Sequence, residues 1–302
     1  MLLARLRGTK MVSALFAEPQ PSSDYLVGWG STLEAQVNQK PGSFLAAILT
    51  IAAVPVAAQW LNYPTPGIPR LQDGRPNLNA PAPRTPDGKP DLSGLWRPGN
   101  AVPNNFGTAV LPAEWVNIAA NLKEPLPYQP WALNLLNTRH LNNAKDSPSA
   151  LCLPLSIIHK HSHPAPRKML QFPGLLVILY EEGTQYRQIF TDGRSLPVDS
   201  NPSFLGYSSG RWEGDTLVVQ TIGFRNDEWL DATGTPITDS AKITERFRRP
   251  SFGTLEIDVT VNDSKAYLAP WTVNLKQYIT LDTDLLESFC ENNRDISHWV
   301  GK

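Results

Sequence analysis

From Lys168 onward, hydrophobic and polar positions alternate with the period of two that marks strands with one buried face. The clearest stretch is Thr254–Val261. Leu255, Ile257, Val259 and Val261 fall on one side, and Glu256, Asp258 and Thr260 on the other. Trp271–Ile279 alternates in the same way, and Ala241–Arg248 precedes Thr254–Val261 across the turn Pro250–Gly253. Gly206–Trp212 turns through Glu213, Gly214 and Asp215 into Thr216–Phe224. The continuous apolar run Leu175–Tyr180 turns through Glu181–Thr184 into Tyr186–Thr191. With a short strand at Gly94–Trp96, the pattern predicts about eight strands joined mainly by hairpins. This is a mainly β fold: an antiparallel up-and-down meander closed into a barrel or a strongly curved sheet. A barrel of about eight strands is wide enough to hold one small ligand. A few short helices are expected at Glu114–Leu122, Pro130–Leu141 and Leu285–Asn293, the second opening with proline at a favoured position. Pro148–Pro166 reads as coil.

The pattern in front of the barrel is different. Residues 43–58 form an apolar run, Ser43-Phe-Leu-Ala-Ala-Ile-Leu-Thr-Ile-Ala-Ala-Val-Pro-Val-Ala-Ala58, preceded by Lys40. It is short for a bilayer span and ends in the small residues that a signal peptidase reads. Residues 1–58 are therefore expected to be a spurious N-terminal extension plus a signal peptide, with Gln59 as the first mature residue. Residues 59–90 lack periodicity and read as a Pro-rich extended arm. They carry a duplication: Pro69-Arg-Leu-Gln-Asp-Gly-Arg-Pro-Asn-Leu78 is echoed by Pro83-Arg-Thr-Pro-Asp-Gly-Lys-Pro-Asp-Leu92. Residues 91–302 are expected to form a single β-rich domain with a helical and coil insertion at about 98–167.

Composition narrows the function. A hydrophobic share of 41% supports a true core. A net charge of −1 without a Lys/Arg block gives no electrostatic case for nucleic acid or, after signal cleavage, for a membrane partner. The two cysteines, Cys152 and Cys290, form an even pair, which in an oxidising compartment reads as one disulfide. The expected location is periplasmic or extracellular. The chain has no nucleophile elbow, phosphate loop, dinucleotide fingerprint, zinc-protease helix or haem-attachment motif, and no cofactor is expected.

Three constellations remain. His159, His161 and His163 alternate, so an extended strand would aim all three at one Zn²⁺ or Cu²⁺. The flanking Pro164 and Pro166 favour a solvated loop instead, and no metal is expected. Asp215 is expected to fix a hairpin turn and Arg211 to pair across strands. Glu245, Arg246 and Arg248 lie close together on one strand. Arg246 and Arg248 share a face that either lines the barrel or pairs with Glu256 and Asp258 on the neighbouring strand. Tyr207, Glu245 and Arg246 are the candidate ligand-binding residues.

Two resemblances add to this. Asp87-Gly-Lys-Pro-Asp-Leu-Ser-Gly-Leu-Trp96 and Gly210-Arg-Trp-Glu-Gly-Asp-Thr-Leu-Val-Val219 resemble motifs of a family of uncharacterised secreted proteins, numerous in Acidobacteria and some Proteobacteria. The likeness continues through Phe190–Arg194, Thr244–Arg249, Ala269–Thr272 and Cys290–Asn292, and it implies secretion without implying an activity. Gly94-Leu-Trp96 at the start of a meander also resembles the opening of lipocalin-like (calycin) barrels. That likeness implies that Trp96 closes one end as a structural residue. The expected function is a secreted small-molecule-binding protein with a barrel-like pocket for a partly apolar ligand. Two alternatives stay open. One is a cofactor-free isomerase, lyase or hydrolase using Tyr207, Glu245 and Arg246 as acid/base and anion-holding groups. The other is a structural or interaction protein.

Overall fold

A computed structural model describes residues 63–99, 112–288 and 290. The expected signal peptide at 43–58 lies outside the described residues. Nine strands close into one barrel in chain order. They are β1 (Gly94–Pro98), β2 (Arg167–Phe172), β3 (Leu175–Tyr180), β4 (Gln185–Phe190), β5 (Tyr207–Glu213), β6 (Thr216–Ile222), β7 (Lys242–Ser251), β8 (Thr254–Asn262) and β9 (Trp271–Ile279). The fold is mainly β and lipocalin-like, with few short helices. The strand that the sequence pattern missed is β2.

An odd number of strands has a topological consequence. Direction reverses at every antiparallel neighbour, so a closed ring of nine must contain a parallel pair. That pair is β4–β5, in register at Ile189↔Ser208 and Phe190↔Ser209. All the other neighbours are antiparallel. The all-antiparallel expectation is corrected at this one seam. A parallel neighbour cannot be reached by a hairpin, so residues 191–206 cross back outside the barrel as a strap. The seam is short. On its β5 side, β4 is unpaired before Ile189, and the two strands splay apart around Tyr186, Arg187 and Gln188.

Strand alternation fills the interior. Ile243, Glu245 and Phe247 of β7, Leu255, Ile257, Val259 and Val261 of β8, and Val273, Leu275 and Gln277 of β9 are buried. One end is closed by Trp96, which is fully buried and donates from its indole nitrogen to Leu92 O at 3.0 Å. Arg249 lies over its ring at 4.9 Å, and its guanidinium donates to the carbonyls of Asp91, Ser93 and Phe252. Gly94 has φ +145°, and a Cβ there would meet the Trp96 indole at 3.3 Å. Glycine is needed at that point by both backbone and packing.

The arm is built from its duplication. Arg70 pairs with Pro76 and Arg84 with Pro90 as isolated bridges. In each turn the arginine donates to the carbonyl of the Asp-Gly glycine, Gly74 at 2.8 Å and Gly88 at 2.7 Å. The repeated sequence is thus a repeated turn. The arm docks on the β7–β8 hairpin, where Phe252 N donates to Ala80 O at 2.7 Å and Gly253 N to Leu78 O at 2.9 Å. Asp215 also serves the arm. It does not fix its own turn but accepts both guanidinium nitrogens of Arg84, at 2.9 and 2.7 Å.

The other end of the barrel is covered by helices: α1 (Ala113–Val116), α2 (Pro130–Leu141) and α3 (Ile157–Ser162). The Glu114–Leu122 helix is reduced to α1. The segment read as coil at Pro148–Pro166 contains a 3-10 turn at Pro148–Leu151 and α3. Residues 285–288 are irregular, so the terminal helix is not found there, and most of the remainder of that stretch lies outside the described residues. Cys152 and Cys290 form a disulfide with Cα atoms 5.5 Å apart. Among the described residues, no helix is long and apolar enough to cross a membrane.

Candidate functional site

The site starts with α3. Ser156 caps it, accepting from His159 N at 3.3 Å while its hydroxyl donates to Trp229 O at 2.8 Å. Pro164 and Pro166 end it. A helix turns about 100° per residue, so His161 points away from the face shared by His159 and His163. His159 and His163 lie against Trp115, with ring centres at 5.7 and 6.0 Å. The three imidazoles therefore do not converge on a metal. Among the described residues no group of three or more metal-ligating side chains forms.

His161 instead reaches into the barrel, where its Nε2 lies 2.6 Å from Glu245 Oε1. Arg187 of β4 grips the same carboxylate through both terminal nitrogens, Nη1 to Oε1 at 2.9 Å and Nη2 to Oε2. It also donates to Ser208 Oγ at 3.0 Å and Thr221 Oγ1 at 2.9 Å. Arg167 of β2 donates to Gln277 Oε1 at 2.6 Å, to Lys160 O at 2.6 Å and to His161 O at 2.7 Å. The last two are carbonyls at the C-terminus of α3, where a cation is favoured.

The electrostatics fix the protonation of this layer. Burial raises the Glu245 pKa, but the charge and hydrogen bonds of Arg187, with the bond from His161, outweigh it and hold the carboxyl down at about 2. Burial lowers the His161 pKa to about 4, against a smaller opposing pull from Glu245. His161 is thus neutral. A carboxylate can only accept and a guanidinium only donate. Nε2 must therefore carry the proton towards Glu245, and Nδ1 accepts from Arg167 Nη1 at 3.3 Å. With both ring nitrogens engaged and Glu245 ionised, the trio offers neither a free base nor an acid. It locks the helical plug into the barrel. Lys160 adds a second lock, donating to Glu182 Oε2 at 2.6 Å.

Open space lies beside this layer, at the splayed seam. A cavity of about 910 Å³ sits between the outer face of β4–β5 and the strap. Tyr186, Phe190, Leu196, Phe204 and Leu205 give it apolar walls, and Arg187 and Ser208 border it where the strands splay, with their side chains bonded inside the barrel.

The candidate residues fall apart on this geometry. Glu245 faces inward but is fully engaged. Arg246 is its neighbour on a strand and must face outward. There it pairs with Glu213 at 3.1 Å, well away from the cavity lining. Arg248 pairs with Glu256 at 3.0 Å. Arg211 pairs with Glu213 on its own strand at 2.7 Å and not across the sheet. Tyr207 also faces outward, donating to Asn201 O at 3.0 Å, and joins the cavity wall from outside the barrel. Because the Arg246–Glu213 pair is solvent-exposed, Arg246→Met should cost less than about 1 kcal/mol in urea unfolding. A loss as large as that of a core deletion would show that the pair is structural. Arg187, Ser208, Arg167 and Gln277 were not singled out in the sequence. The spacing Arg187-x-Ile189 was a usable signal, since alternation sends both side chains to one face.

This architecture defines a closed β-barrel with one end sealed by Trp96, a helical plug in the other, and a lateral cavity under a crossover strap. No family model matches the chain, and neither a curated protein nor a solved structure matches it significantly.

Proposed function

We propose that this chain is an exported protein that binds a small, partly apolar molecule in the lateral cavity, not in the barrel lumen. The observation that carries this reading is the cavity itself: about 910 Å³, with an apolar surface from residues such as Tyr186, Phe190, Leu196, Phe204 and Tyr207 interspersed with polar ones such as Gln188, Ser203 and Ser209. Size and lining match those of small-molecule sites. The barrel interior, by contrast, is occupied by core side chains and by the His161–Glu245–Arg187 layer. That layer has no free acid or base, which favours binding over catalysis. The arm is engaged on the β7–β8 hairpin, which leaves it less available as an interaction segment. The Cys152–Cys290 disulfide supports an oxidising compartment, as do the apolar run at 43–58 and the secreted-family motifs.

Gln188 provides the test. It is exposed on the outer face of β4 and lines the cavity. Tryptophan suits a strand and would fill the space. Titration with the uncharged fluorophore N-phenyl-1-naphthylamine should show saturable binding to the parent. Binding should weaken by about tenfold or more in Gln188→Trp, a change of about 1.4 kcal/mol, with thermal melting unaltered. Equal binding by both proteins would place the probe elsewhere and remove the basis for this function.

A further inference from the structure

We propose that the lateral cavity is selective for amphiphilic organic anions: an apolar body with a single carboxylate- or sulfonate-type head. This rests on the cavity being a binding site and specifies its ligand. The argument is one of charge placement. Arg194 and Arg225 line the cavity, and among the described residues no aspartate or glutamate does; Arg187 borders it too, but its buried guanidinium is turned into the barrel onto Glu245. Each arginine has its carboxylate partner outside the lining: Glu245 for Arg187, Asp192 for Arg194 and Asp227 for Arg225. The lining therefore holds Arg194 and Arg225 but not their aspartates.

Two of the arginines are built into the walls. The Arg194 guanidinium lies over the Phe190 ring at 3.7 Å, and that of Arg225 over Phe204 at 4.6 Å. Each aspartate, two residues from its arginine, is bound through Nε and Nη2. The distances are 3.0 and 2.6 Å for Arg194–Asp192, and 2.8 and 2.6 Å for Arg225–Asp227. These bonds hold each guanidinium over its phenyl ring. Nη1 of each arginine makes no hydrogen bond among the described residues, so an incoming anion can be met there without breaking either pair. The same phenyl groups offer the apolar body a rigid surface. The site thus presents cationic edges and aromatic faces at two points, Arg194 with Phe190 and Arg225 with Phe204. A cationic ligand would meet two positive groups and no negative one in the lining, and a neutral ligand would leave the arginine edges unused.

The test uses two fluorophores with one aromatic frame. 1-Anilinonaphthalene-8-sulfonate carries a sulfonate that N-phenyl-1-naphthylamine lacks. Both are titrated at low ionic strength into the parent chain, the Arg194→Gln/Arg225→Gln double variant and Gln188→Trp, with melting curves to confirm folding. The parent should bind the sulfonate at least about tenfold more tightly, as expected of a charge-assisted hydrogen bond. The double variant should lose that margin, so that its affinities for the two probes converge, and added salt should erode it in the parent. A sulfonate that binds no better than its uncharged counterpart, or an advantage that survives in the double variant, would overturn anion selectivity and leave the cavity reading intact. If the uncharged probe also fails to bind the parent, or Gln188→Trp alters neither titration, the cavity reading fails and the selectivity proposal fails with it.

Discussion

Glu245→Ala should destabilise the protein by about 3–5 kcal/mol, a large share of the total stability of a domain. Among the described residues the carboxylate is the single anion in direct contact with Arg187 and His161, and both it and Arg187 are almost wholly shielded from solvent. Its removal leaves a buried guanidinium whose remaining partners are neutral hydroxyls, Ser208 and Thr221. It also leaves an imidazole N–H without an acceptor. The loss measures the cost of an orphaned charge, not the intrinsic worth of the pair. Removing both members together should therefore cost less than the sum of the single losses. In the Glu245→Leu/Arg187→Met double variant, the Ser208 and Thr221 hydroxyls still have each other at 3.0 Å. Urea unfolding of Glu245→Ala, of Glu245→Leu and Arg187→Met singly, and of the double variant checks this. A Glu245→Ala loss under about 1 kcal/mol, or strictly additive losses, would mean that the layer is solvated and does not lock the plug.

The same layer explains what could be read from the chain and what could not. β7, β8 and β9 were legible because their inward positions are mostly aliphatic, and alternation then stands out. β2 was not, because its inward residues include Arg167 and Gln171 while Leu170 and Phe172 point outward. An inverted stripe of this kind makes no hydrophobic pattern. β4 carries the same inversion, with Arg187 inside and Tyr186 outside, yet it still reads as a strand because the turn Glu181–Thr184 leads into it from Leu175–Tyr180. α3 was hidden for a related reason. Its histidines and lysine look like a solvated segment, yet the whole helix is buried, because Glu245, Glu182 and Trp115 lie in parts of the chain far from it in sequence. The Ser156 cap and Pro164 were local signals that could have marked its limits. The parallel seam followed from strand number alone, and one missed strand was enough to conceal it. The cavity followed from the seam, so its arginines could not be placed from local sequence.

Acid should unfold this protein well above the range where ordinary carboxylates titrate. Burial is the leading cause of a lowered pKa in all three histidines of α3 and its cap, from 6.5 to about 3 for His159 and to about 4 for His161 and His163. A depressed folded pKa means that each contributes stability above pH 6.5. That stability is lost as pH falls towards the folded value, because the unfolded chain takes up a proton that the folded chain refuses. Glu228 works in the opposite sense. Burial raises its pKa from 4.5 to about 8, with Oε1 accepting from Arg225 N at 3.0 Å and Oε2 without a partner among the described residues. Its stabilising contribution is complete below pH 4.5 and is lost as pH rises through 8. Between pH 6.5 and 4.5, three protons favour unfolding and one favours folding, a net of two. At about 1.4 kcal/mol per proton per pH unit, the slope approaches about 2.7 kcal/mol per unit once the unfolded histidines are charged. Over that range, about 4–5 kcal/mol should disappear. Below pH 4.5 the loss should continue as the unfolded chain also protonates its counterpart of Glu245, whose folded pKa is about 2. Urea midpoints from pH 8 to 4 give the slope directly. Glu228→Gln separates the two contributions: it should raise stability at pH 8 and steepen the acid limb towards three protons. Stability that stays flat between pH 7 and 5 would mean that the histidines are charged in the folded state, and the neutral His161 on which the plug depends would be wrong.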